Sequence, residues 1–157
     1  MSFTKKDIVK LTGLPPRLVQ FYTESNVIIP DADEGKGRGK VRRYTKANLF
    51  AFLIIKELSE MKMSISRIRE IINLLRKNYL RTGVIQDEGR LESFFKTGFF
   101  ILHKKANDDK IKLSRKEISQ MKELKNNTPV LTIGDLKKYG HVYCIIDLSM
   151  FLEKMKY

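Results

Sequence analysis

Thr4-Lys5-Lys6-Asp7-Ile8-Val9-Lys10-Leu11-Thr12-Gly13-Leu14-Pro15-Pro16-Arg17-Leu18-Val19-Gln20-Phe21-Tyr22-Thr23 is the stretch on which the fold turns. A threonine three residues ahead of an aspartate reads as a helix start, because the hydroxyl can accept a free N–H and the carboxylate sits at the positive end of the helix. The first helix should run to about Thr12 and stop at Gly13, which takes the left-handed conformation cheaply. Pro15-Pro16 can open a second helix where no N–H is needed, and that helix should extend from Pro16 to about Thr23. Two short helices joined by a tight turn containing glycine form a helix-turn-helix, whose second helix is held out to enter a DNA major groove.

Outward from that pair, Val27-Ile28-Ile29-Pro30 reads as a strand, followed by an acidic stretch and then Gly35-Lys36-Gly37-Arg38-Gly39-Lys40-Val41-Arg42-Arg43-Tyr44. Alternating glycines forbid a helix and let the backbone approach another molecule, so this reads as a flexible basic loop leading into a second strand. Such a hairpin beside a recognition helix is a wing, although a basic loop alone reads equally well as a solvated one. Thr45 should cap a third helix with Phe50, Leu53, Ile54, Leu58 and Met61 on its buried face. Ser64 should cap a fourth, burying Ile65, Ile68, Ile71, Ile72 and Leu75.

The whole chain, 157 residues with 42% hydrophobic residues and a net charge of +13, suits one ordinary core or two small ones. Basic residues outnumber acidic ones 16 to 8 through Lys77 and 15 to 10 after it, so the first half is the better partner for a polyanion. The expected organisation is a mostly α winged helix-turn-helix with a following helix pair over residues 1–77, then a small α+β domain over residues 78–157 for dimerisation, an effector or a partner. In that second part residues 88–96 suggest a short helix and Phe99-Phe100-Ile101-Leu102 a buried strand. A turn at Asn107-Asp108-Asp109 would lead to a strand from Lys110 to Leu113. Ser114-Arg115-Lys116-Glu117 has the capping-box pattern and predicts a helix to about Lys125, broken at Asn126-Asn127-Thr128-Pro129. Val142-Tyr143-Cys144-Ile145-Ile146 predicts a strand, and residues 148–157 an amphipathic helix.

The residues of the first half resemble the DNA-binding domain of the mercury-resistance regulator family, the MerR-like proteins. The likeness covers about residues 3–76: helix-turn-helix, a wing ending in Arg42-Arg43-Tyr44-Thr45, then a helix pair. Where such proteins carry a recognition helix with two arginines and two tyrosines, Arg17 and Tyr22 match, which implies that both contact DNA, while Gln20 and Phe21 replace the second arginine and the first tyrosine. Gln20 could instead read adenine through two hydrogen bonds, worth about 1–3 kcal/mol of discrimination. Asn26 stands where glycine is usual, and asparagine is the next best residue for a left-handed turn. Lys36, Arg38, Lys40, Arg42 and Arg43 would meet phosphates, Arg42 foremost. The resemblance implies a sequence-specific regulator of double-stranded DNA, a homodimer on an inverted repeat, and RNA polymerase as a further partner. It also implies a long dimerisation helix, whereas Asn78-Tyr79-Leu80-Arg81-Thr82-Gly83 interrupts the helical pattern soon after Leu75.

Other chemistry finds little support. Cys144 is the single cysteine, which excludes an internal disulfide and a cysteine metal cluster and suits a reducing cytoplasm. His103 and His141 lack metal-ligand spacing, and Gly35-x-Gly-x-Gly lacks the strand-to-helix setting of a nucleotide loop, so neither a cofactor nor an enzyme is expected. No apolar run approaches membrane-spanning length. The aromatic residues Phe94, Phe95, Phe99, Phe100, Tyr139 and Tyr143 read as the core of the second domain ahead of an effector pocket. Two further readings stay open: an architectural, excisionase-like DNA-bending protein, and a protein-interaction module.

Overall fold

A computed structural model of the chain describes residues 2–30, 32–34, 41–80, 94–96, 98–104, 112–117, 122–123, 129–130 and 141–156. The chain divides into two compact units, Met1–Gln86 with Glu153–Tyr157, and Asp87–Leu152.

In the first unit, helix α1 (Lys5–Thr12) starts in a complete capping box. The Asp7 carboxylate accepts from the Thr4 N–H at 2.8 Å and from the Thr4 hydroxyl at 2.7 Å, while the Asp7 N–H donates to Thr4 Oγ1 at 3.3 Å. Those bonds favour the ionised form, so the carboxyl sits below its ordinary value of 3.8, the Thr4 backbone N–H being the largest cause and the Thr4 side chain the next. A carboxyl whose folded pKa is depressed adds stability that is present above its unfolded value and lost as pH falls through the folded value. Asp7→Asn should therefore lower the urea midpoint near neutral pH, with the gap from wild type closing in acid. A gap that stays constant below pH 3.8 would contradict the assignment.

Gly13 ends α1 in the left-handed region, φ +72°, with its N–H on the Val9 carbonyl at 2.9 Å. Helix α2 (Pro16–Glu24) then begins with proline at its first position. After α2 the predicted first wing strand is corrected. Val27 and Ile28 do not alternate but are both buried, and both their N–H groups donate to the Tyr22 carbonyl, at 3.0 and 2.9 Å. These donors close the helix end instead of joining a ladder. The wing strands are β1 (Ala32–Glu34) and β2 (Val41–Arg43), paired antiparallel with Asp33 opposite Arg42.

Helix α3 (Lys46–Glu60) has the same kind of start as α1, with Asn48 answering Thr45. It is buried nearly all round, through Leu49, Phe50, Ala51, Phe52, Leu53, Ile54, Ile55 and Leu58, which makes it the central helix of this unit. Helix α4 (Ile65–Leu75), capped by Ser64, buries Ile68, Ile71, Ile72 and Leu75. Two expected core positions are corrected: Met61 is 45% and Ile65 48% exposed. They flank the turn between α3 and α4, where Lys62 has φ +59°, so each apolar stripe overruns the core at its end. After Leu75 the α-helix gives way to a π-helical turn, Arg76–Leu80, in which no residue is buried.

In the second unit, β3 (Gly98–Lys104) lies between β4 (Lys112–Glu117) and β7 (His141–Asp147) in an antiparallel three-stranded sheet. A short pair, β5 (Lys122–Glu123) and β6 (Pro129–Val130), stands apart from that sheet. Consecutive burial of Phe100, Ile101, Leu102 and His103 marks β3 as covered on both faces. Residues 94–96 are helical, and Phe94, Phe95 and Phe100 are buried with edge-to-face rings 5.3 and 6.2 Å apart, a packed core at these positions. Phe99, Tyr139 and Tyr143 lie outside the described side chains, as does the predicted Asn107-Asp108-Asp109 turn.

The helix predicted from Ser114 is a correction. Ser114–Glu117 belongs to β4, with Leu113 opposite Leu102 and Ser114 opposite Ile101. Ser114 Oγ bonds to the buried His103 Nε2 at 2.8 Å instead of capping, and the Arg115 guanidinium lies 4.5 Å over the Phe94 ring. Cross-strand burial outweighs a capping signal worth about 1 kcal/mol. The last predicted helix shrinks to a 3₁₀ turn, Ser149–Phe151, and one helical turn, Leu152–Met155.

Candidate nucleic-acid interface

Helix α2 is two-faced. Val19, Tyr22 and Thr23 are buried, while Pro16, Arg17, Gln20, Phe21 and Glu24 are exposed along the opposite side. The buried side is tied down by hydrogen bonds as well as packing. Thr23 Oγ1 lies 2.8 Å from the Val19 carbonyl, to which it donates, and 3.0 Å from the Tyr44 hydroxyl. The Tyr44 ring meets Phe52 of α3 edge-on at 5.6 Å, and its backbone exchanges two hydrogen bonds with Phe3. Tyr44 therefore fastens the end of β2 to α2, to α3 and to the start of the chain together.

The base of the wing is held from two other helices. Asn48 Nδ2 donates to the Ile29 carbonyl at 3.0 Å, and Arg76 donates to the Val27 carbonyl. Asn26, φ +57°, makes the left-handed turn between α2 and this segment. Arg42, two residues before Tyr44, is thereby presented beside the C-terminal end of α2, with its Nη1 3.9 Å from Glu24 Oε1.

The expected contact residues fall into four groups. Arg17 and Gln20 lie on the exposed side of α2, and Arg42 and Arg43 are half-buried on β2. Tyr22 is 3% exposed, under the helix, with its hydroxyl 3.4 Å from Ser59 Oγ. Lys36, Arg38 and Lys40 lie outside the described residues. Phe21 is 38% exposed and packs edge-on against Tyr22 at 5.4 Å.

Sequence reasoning missed Lys5 and Glu24. Lys5 Nζ donates to Gln20 Oε1 at 3.0 Å, and Gln20 Nε2 donates to Glu24 Oε1 at 2.8 Å. The Gln20–Glu24 spacing of four residues on one helix was a legible signal. Lys5 was not, because its approach depends on how α1 meets α2.

Residues 3–75 match the model of the MerR HTH family regulatory protein. This MerR-like segment supports a DNA-binding transcription regulator in general terms, and its limits enclose α1 to α4 with the wing strands between them. A comparison of the chain with curated proteins gave no match. Among the described residues there is no group of three or more His, Cys, Asp or Glu side chains that could hold a metal ion, and no helix long and apolar enough to cross a membrane.

Proposed function

We propose that the protein is a sequence-specific transcription regulator that lays α2 in the major groove of double-stranded DNA and rests its basic wing on the phosphates. The observation that carries this reading is the exposed side of α2, where Arg17 and Gln20 stand clear of the core while Arg42 of the wing reaches the C-terminal end of the same helix. Side chains that reach base edges confer sequence preference, and cations on phosphates confer affinity without it. In this division Gln20 reads a base, Arg17 serves the groove end of α2, and Arg42, Arg43, Lys36, Arg38 and Lys40 neutralise phosphates. Tyr22 supports the helix from beneath. A homodimer on an inverted repeat follows from the symmetry that such regulators share with their operators, with the second unit available for dimerisation or a partner.

The test is selection of duplex fragments by the full chain at physiological salt, with the size of the complex recorded. An enriched inverted repeat bound by two chains is the expected result; salt-sensitive binding with no motif would favour the architectural, DNA-bending reading instead. Arg42→Ala should weaken binding to every sequence and lower the salt slope by about 1, whereas Gln20→Ala should relax preference at one base position. Equal losses on all sequences from both changes would defeat the division of roles.

A further inference from the structure

The Gln20 side chain is held at both ends. Its Oε1 accepts from Lys5 Nζ at 3.0 Å, and its Nε2 donates to Glu24 Oε1 at 2.8 Å. A primary amide has two acceptor positions on oxygen and two N–H groups on nitrogen, and nothing in its own shape prefers one orientation over the flipped one. Here the flanking charges decide. Flipping the amide would point its N–H groups at an ammonium and its oxygen at a carboxylate.

With one acceptor position and one N–H engaged inside the protein, one of each remains. That pair is the complement of the major-groove edge of adenine, which offers the N6 amino group and the N7 acceptor. Guanine presents two acceptors there and would need both N–H groups. The fixed orientation also places the remaining acceptor on the Lys5 side and the remaining donor on the Glu24 side. Adenine is then accepted on one strand and not on the other. Both bonds are solvent-exposed in the free protein and therefore weak, but a groove that expels water strengthens them as the base is read.

We propose that Lys5 and Glu24 are positioning residues that clamp the Gln20 amide in one orientation and so determine which base, on which strand, α2 reads. This rests on α2 entering the major groove. Glu24 has a second consequence, because the oxygen that holds Gln20 lies 3.9 Å from Arg42 Nη1 and competes with phosphate for that cation.

Selection of duplex DNA by the full-length wild type, Glu24→Ala, Lys5→Met and Glu24→Gln tests the clamp. Within each half-site wild type should prefer adenine at one position on one strand. Glu24→Ala and Lys5→Met should each reduce that preference by about tenfold, within the range of one bidentate base contact. The same two variants should move non-specific affinity in opposite directions, upward on losing the carboxylate and downward on losing the ammonium. Glu24→Gln, which keeps an acceptor for Nε2, should retain more of the preference than Glu24→Ala.

A merely electrostatic role would shift non-specific affinity and leave the base preference intact, and that result overturns the clamp while sparing the groove-binding reading. If wild type enriches no motif at all, the groove-binding reading fails and the clamp with it.

Discussion

Phe52→Ala is expected to cost about 3–5 kcal/mol of folding stability, the range for deleting a buried aromatic ring. Phe52 is fully buried on α3 and meets Tyr44 edge-on at 5.6 Å. Its loss leaves a cavity in the middle of the first unit, because a helix packed on nearly all sides has no free neighbour that can collapse into the space. The effect also reaches the interface. Tyr44 bonds to Thr23 of α2 at 3.0 Å, so a loosened Tyr44 ring frees both the end of β2 and the helix that carries Gln20.

Urea unfolding should show the stability loss, and DNA binding measured where the variant is still folded should fall as well. Tyr44→Phe separates the two effects, since it keeps the ring and removes only a hydroxyl bond worth about 1 kcal/mol. A Phe52→Ala loss below about 1 kcal/mol would remove α3 from the centre of the unit.

Gly98→Ala should destabilise the second unit by about 1–3 kcal/mol, as overpacking of a dense site does. A Cβ at Gly98 would fall 2.6 Å from the Phe94 carbonyl oxygen and 2.9 Å from Arg115 Nη2. Neither can withdraw freely. Phe94 is buried against Phe95 and Phe100, and Arg115 donates to that same carbonyl at 3.1 Å while lying over the Phe94 ring. Alanine would otherwise gain from a stiffer unfolded chain, by about 0.4–1 kcal/mol. An unchanged or raised unfolding midpoint would therefore mean that the close approach of β3 to residue 94 is absent in solution.

The features that were legible in the sequence are those whose hydrogen bonds close within a few residues. Thr4 with Asp7, the caps Thr45 and Ser64, and the left-handed Gly13 all stand where their residue types placed them, and the left-handed Asn26 stands where the family likeness placed it. Each joins a side chain or a backbone turn to groups three or four positions away, so a local reading contains all the interacting atoms. The same holds for the buried stripe of α4 away from its first turn. On this footing the sequence by itself determined the helix-turn-helix, the helix pair and the exposure of Arg17 and Gln20.

Where partners come from far along the chain, local signals misled. The capping pattern at Ser114 lost to pairing with β3, and burial of both Val27 and Ile28 in the core replaced the alternation of a strand. Tyr22 went under its helix to face Ser59, thirty-seven positions on, and Lys5 reached Gln20 only because α1 and α2 meet as they do. Burial and pairing across such separations depend on which elements become neighbours. That is a property of the folded chain, because the free energy of covering both faces of a strand exceeds that of any single cap within it. The sequence placed strands near β3, β4 and β7, and the tertiary structure decided their order and register, the extension of β4 through Ser114–Glu117, and the approach of Lys5 and Arg42 to the Gln20–Glu24 pair.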